Sequence, residues 1–80
     1  MKLLVRNLDR STTETELLNL FEPFGSVQSC TLVMDPISGA SKGFGFVEMP
    51  KAGDAKAAMK NLNNTRVGEN LIRVKKAEDK

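Results

Sequence analysis

Phe44 and Phe46 alternate with Gly43 and Gly45 in the stretch KGFGFVEM, Lys42 to Met49, and they are two of only four aromatic residues in the chain. Side chains two apart in a strand share a face, so the rings point one way and the glycines the other. Exposed flat rings can stack against other flat groups, at about 1–3 kcal/mol for each nucleic-acid base. Cations beside them would add attraction for phosphate and release of counterions. Buried rings would instead be ordinary core, and the elements that position this strand decide between the two.

Leu3, Leu4 and Val5 form a short apolar run ending in the turn-prone region Asn7 to Asp9, which reads as a first strand. Thr13 with Glu16 three residues later makes a capping box, and Leu17, Leu20, Phe21 and Phe24 repeat at helical spacing behind it. Pro23 and Gly25 stop that helix, and VQSCTLVM, Val27 to Met34, predicts a second strand. The turn formers of DPISGAS, Asp35 to Ser41, lead straight into KGFGFVEM, so the second and third strands form an antiparallel hairpin with a long loop. Ala55, Ala58, Met59 and Leu62 predict a second helix over Ala52 to Leu62, with small contact residues that let it lie close to a sheet. Asn63 and Asn64 end it, and NLIRVKKA, Asn70 to Ala77, is the fourth strand. The order strand, helix, strand, strand, helix, strand is the split βαβ arrangement, an α+β ferredoxin-like fold with a four-stranded antiparallel sheet and two helices on one face.

A sheet covered on one side leaves its other face to solvent or a partner. In the third strand Lys42, Phe44, Phe46 and Glu48 share one phase, and Gly43, Gly45, Val47 and Met49 the other. Lys42 and Glu48 are costly to bury, whereas Val47 and Met49 are natural core. The rings therefore belong to the open face. By the same alternation Ile72 and Val74 point to the helices and leave Arg73 and Lys75 beside the rings, while Leu3 and Val5 point inward and leave Leu4 and Arg6 outward. Glu14, Glu16, Glu22 and Asp54 fall on the helices, so the sequence predicts a basic open face and an acidic helical one.

The bulk properties narrow the function further. The 80 residues suit one small domain, expected to span residues 1–80 with a core of about 2–78, with no linker, low-complexity tract or second unit. No run reaches the about 20 apolar residues of a membrane span, and MKLLVRNLDR lacks the apolar core of a secretory signal, so an intracellular, non-membrane protein is expected. There is no histidine, a single cysteine, Cys30, no phosphate-cradling glycine loop with its lysine, and no convincing carboxylate pair. These exclude the usual acid–base, zinc and iron–sulfur constellations, and the expectation is a cofactor-free domain that is not an enzyme. A net charge of +2 points to nucleic acid only if the charges are segregated.

KGFGFVEM matches every constrained position but the last of the octamer K/R-G-F/Y-G/A-F-V-x-F/Y, and the chain as a whole resembles the RNA recognition motif, or ribonucleoprotein domain. Met49 stands where an aromatic is usual, at a core-facing position. The hexamer of the family falls on LLVRNL, Leu3 to Leu8, with Leu4 where a base-stacking aromatic is usual. The resemblance extends through FEPFGSV, DPISGASKG, AAMKNLNN and LIRVKKA, and looks most like the compact single-domain members of bacteria and of glycine-rich RNA-binding proteins. It implies the strand order fourth, first, third, second, and about two to four single-stranded nucleotides bound across the sheet. It further implies that Phe46 stacks one base, that Phe44 inserts near a ribose or base, and that Lys42 contacts phosphate. Arg6, Arg73 and Lys75 are phosphate or base-edge candidates, and the backbone around Lys76 and Ala77 is a candidate hydrogen-bonding partner for a base. Leu4 offers apolar contact without a π-face, at a loss of about 1–2 kcal/mol against an aromatic.

The expected partner is single-stranded RNA bound by a monomer, with competition by single-stranded DNA left open. The competing reading is a protein-interaction module on the same fold, towards which Leu4 and the lack of tyrosine point. Intact octamer rings with Lys42 favour RNA.

Overall fold

A computed structural model describes residues 1–77; the last residue of the expected core, at position 78, and the expected domain end at 80 lie outside the described residues. The strands are β1 (Lys2–Arg6), β2 (Ser29–Met34), β3 (Ser41–Glu48), β4 (Thr65–Val67) and β5 (Asn70–Lys76), and the helices α1 (Glu14–Phe21) and α2 (Ala52–Leu62). One sheet runs in the order β2-β3-β1-β5-β4, with every described pairing antiparallel. Four of these strands stand in the expected order, and the fifth, β4, corrects the expected four-stranded sheet.

That extra strand is a hairpin arm. Thr65, Arg66 and Val67 pair with Ile72, Leu71 and Asn70 across a two-residue turn in which Gly68 supplies a φ of +64°. Three residues are too few for a period-two signal, which is why Asn63 onward reads as turn alone in the sequence. The second strand is also shorter than expected: Val27 packs at the core margin before it, and the Gln28 N–H donates to the Glu48 carbonyl at 2.7 Å.

The α1 capping box forms, with the Glu16 N–H donating to Thr13 Oγ1 at 3.1 Å and the Thr13 N–H to Glu16 Oε1 at 2.9 Å. α1 gives way at Phe21 to a 3₁₀ turn, Glu22–Phe24, because Pro23 cannot continue the α-helical ladder. α1 buries Leu17 and Phe21, and α2 buries Ala55, Ala58 and Leu62, against Leu3, Val5, Leu32, Val47, Met49, Ile72 and Val74. Gly45 makes the close approach possible: a Cβ there would lie 2.5 Å from the Thr31 carbonyl oxygen and 3.4 Å from Leu17 Cδ2. Gly43 serves another purpose. Leu32 pairs with Gly45 but Met34 with Ser41, so Val33 of β2 stands against Lys42, Gly43 and Phe44 of β3, and Gly43 takes a φ of +85° within this irregularity.

Candidate nucleic-acid interface

The register builds the open face row by row. Thr31, Phe46, Leu4 and Lys75 stand side by side across β2, β3, β1 and β5. Arg6 and Arg73 form the next cross-strand pair on one side of that row, and Lys2 pairs with Glu48 on the other. Phe44 follows Phe46 on β3. Both rings are half-buried by their neighbours, while Val47 and Met49 on the other phase are fully buried, as the alternation requires.

The ring centroids are 6.3 Å apart with planes at 85°. This edge-to-face geometry suits the ring quadrupoles, and it gives the two rings different capacities. Lys2 Nζ lies 4.8 Å from the Phe46 centroid, over the ring, so the outward face of Phe46 carries a cation from β1. Phe44, turned nearly perpendicular, is suited to edge contact with a sugar or base.

Arg6, Arg73 and Lys75 converge on a groove of about 490 Å³ whose remaining lining is Asn7, Asn63 and Val74, with no carboxylate among the described residues. It lies where β5 outruns the short β4, and there Asn63 Oδ1 accepts the Val74 N–H at 3.1 Å. Asn7, at a φ of 60°, donates from Nδ2 to the Leu71 carbonyl at 2.8 Å and ties the end of β1 to β5. Arg6 directly opposite Arg73 is unfavourable, since like charges at facing positions repel. An anion in the groove would relieve that repulsion.

Lys42 occupies a second hollow, of about 320 Å³, with Arg10, Asp35, Ser38, Ala40, Ser41 and Phe44. Asp35 orders the loop at its rim, where Oδ1 accepts from the N–H groups of Ile37 and Ser38 at 2.8 and 3.2 Å. These two bonds, with a smaller contribution from the Arg10 charge, hold its carboxyl below the usual range.

Seven of the nine expected site residues, Leu4, Arg6, Lys42, Phe44, Phe46, Arg73 and Lys75, thus gather on one surface. The other two stand apart. The Lys76 side chain falls in the phase of Ile72 and Val74, opposite Leu3, and is exposed at the end of β5. The Ala77 N–H already donates to the Lys2 carbonyl at 2.9 Å, which removes it as a free donor for a base. Sequence reasoning missed Lys2, Arg10 and Asn63. Lys2 was within reach, since it has the parity of Leu4 and Arg6; the others lie on loops whose placement no periodicity reveals.

The expected charge segregation is partial. α1 and the turn after it carry Glu14, Glu16 and Glu22 with no base, but α2 carries Lys56 and Lys60 beside Asp54. The acidic region is therefore the α1 side of the molecule rather than the helical layer as a whole. Cys30 is half-buried, with burial and then the nearby Glu14 pushing its thiol up to about 11, so it is a protonated packing residue at neutral pH.

Residues 3–73 match the RNA recognition motif family. The chain is 34% identical over 76 residues to poly(U)-binding-splicing factor PUF60 of Homo sapiens, covering 95% of this chain and 14% of that protein. Among solved structures, RNA binding protein PG1 superposes with a TM-score of 0.95 at 34% identity, over 100% of this chain and 96% of that one. A Sex-lethal protein/RNA complex superposes with a TM-score of 0.93 at 30% identity, over 99% of this chain and 47% of that one. The chain spans about one seventh of the length of the curated relative. No described helix is long and apolar enough to cross a membrane.

Proposed function

Because the chain belongs to the RNA recognition motif family, we propose that its open sheet face binds single-stranded RNA through Phe46, Leu4 and Phe44, with Arg6, Arg73, Lys75 and Lys42 supplying cationic contacts. The observation that carries this reading is the outward-facing Phe46 in one row with Leu4 and Lys75, the last of which lines a groove that gathers three cations and, among the described residues, no carboxylate. A base stacked on Phe46 would also lie over Leu4, its immediate neighbour on β1, while Phe44 meets the adjoining sugar edge-on. The backbone that follows would bring phosphate to Arg6 and Arg73 at one flank and to Lys42 at the other. Such contacts are read in single strands, whose unstacked bases are free to splay onto a sheet. Leu4 lacks a π-face, so the affinity of this domain alone should be micromolar or weaker after association entropy of about 4 kcal/mol or more is subtracted.

Nuclear magnetic resonance titration of the labelled domain tests the proposal. Uridine-rich oligonucleotides come first, because PUF60 is named for binding poly(U), followed by purine-rich ones and their DNA counterparts. Shifts concentrated at Leu4, Arg6, Phe44, Phe46, Arg73 and Lys75, weakening as salt rises, are expected. Silence on the sheet at millimolar RNA would overturn the reading and direct attention to a protein partner.

A further inference from the structure

Lys2 occupies the place that the proposed reading gives to a base. It is the first residue of β1, exposed, and of the same outward parity as Leu4 and Arg6. Its cross-strand partner is Glu48, an opposite charge, yet its ammonium lies over the Phe46 ring at 4.8 Å from the centroid. That distance is within the range in which a ring face attracts a cation. Phe46 stands with Leu4 at its side and the sheet beneath, so the face under Lys2 is the one an incoming base would use. Ammonium and base cannot both hold it.

Resting on the reading of the sheet as an RNA surface, we propose that Lys2 is a further RNA-positioning residue: it covers the Phe46 face in the free protein, leaves when a base stacks there, and then contacts the phosphate of that nucleotide. Its backbone is anchored, since the Lys2 carbonyl accepts the Ala77 N–H at 2.9 Å, so only the side chain has to move. Glu48 beside it offers the ammonium a second partner on the way. Lys2 stands on the side of the Phe46 row opposite Arg6 and Arg73, so the stacked nucleotide would be flanked by cations along both directions of its backbone.

The test combines spectra with salt-dependent binding, using a uridine-rich hexanucleotide as probe. In the free protein the Lys2 ε-methylene protons should resonate upfield of those of the exposed Lys56, and Phe46→Leu should remove the difference. Saturation with RNA should return them to the ordinary position. Lys2→Gln should weaken binding about two- to fivefold at low salt and reduce the slope of log affinity against log salt by about 0.7, while Lys2→Arg retains the slope. Unshifted Lys2 methylene signals in the free protein would overturn the proposal, and so would tighter binding by Lys2→Gln or an unchanged slope. A Phe44→Ala/Phe46→Ala control separates the two levels. If it binds as tightly as the parent, the ring platform is itself refuted; if it loses binding while Lys2→Gln behaves as the parent, only the role of Lys2 fails.

Discussion

Arg6 and Arg73 are the residues at which stability and binding pull in opposite directions. They face each other across β1 and β5, with Lys75 in the same groove and no carboxylate in its lining among the described residues. Facing like charges cost about 0.2–1 kcal/mol, and none of the described carboxylates lines the groove to offset that cost in the free domain. Arg73→Gln keeps most of the apolar stem while removing the charge. At low salt the variant should unfold at a higher urea concentration than the parent, by up to about 1 kcal/mol, and bind RNA more weakly. The stability gain should shrink as salt screens the repulsion. A variant less stable than the parent at low salt would show that the two arginines do not repel in the fold.

At the scale of elements, β3 is a strand with different demands on its two faces. Its ring face needs Phe44 and Phe46 outward, and its helix face needs room under α1 at Gly45. Because a Cβ at that position would fall 2.5 Å from the Thr31 carbonyl oxygen, Gly45→Ala forces β2 and β3 apart rather than merely crowding a flexible side chain. Its cost should be about 1–3 kcal/mol, typical of overpacking, measurable as a lower denaturation midpoint. The Cys30–Val47 and Thr31–Phe46 registers would shift with it. A neutral outcome would mean that the sheet relaxes freely at this point. β2, at the sheet edge, is covered where α1 begins: Glu14 Oε2 accepts the Leu32 N–H at 3.0 Å, satisfying a donor that the sheet leaves open.

The whole molecule separates its two tasks by layer. Stability resides between the sheet and helices, where Phe21, Leu3, Leu17, Met49, Ile72, Val5 and Val47 are fully buried, and the proposed binding resides on the opposite face. Phe44→Ala with Phe46→Ala should therefore abolish RNA binding yet preserve a folded spectrum. Its loss of stability should be well under that of Phe21→Ala, for which a core phenylalanine truncation of about 3–5 kcal/mol is expected. Urea titrations of the three proteins provide the comparison. If the double variant unfolds as readily as Phe21→Ala, the rings are part of what holds the sheet together and the division by layers fails.

The sequence by itself determined which side chains share a face, where α1 is capped, where α2 begins and ends, and that the octamer rings point away from the helices. Each of these follows from a local period or a contact within a few residues, such as Thr13 with Glu16 or Phe44 with Phe46, and local geometry is legible without knowing what lies across the fold. The tertiary structure alone decided that Arg6 faces Arg73, that Lys2 covers Phe46, that Asn63 reaches Val74 and that β4 adds a fifth strand. These depend on the register between segments far apart in the chain. Register is settled by how the whole core packs at once, including the irregularity at Gly43, and no window of sequence contains that information.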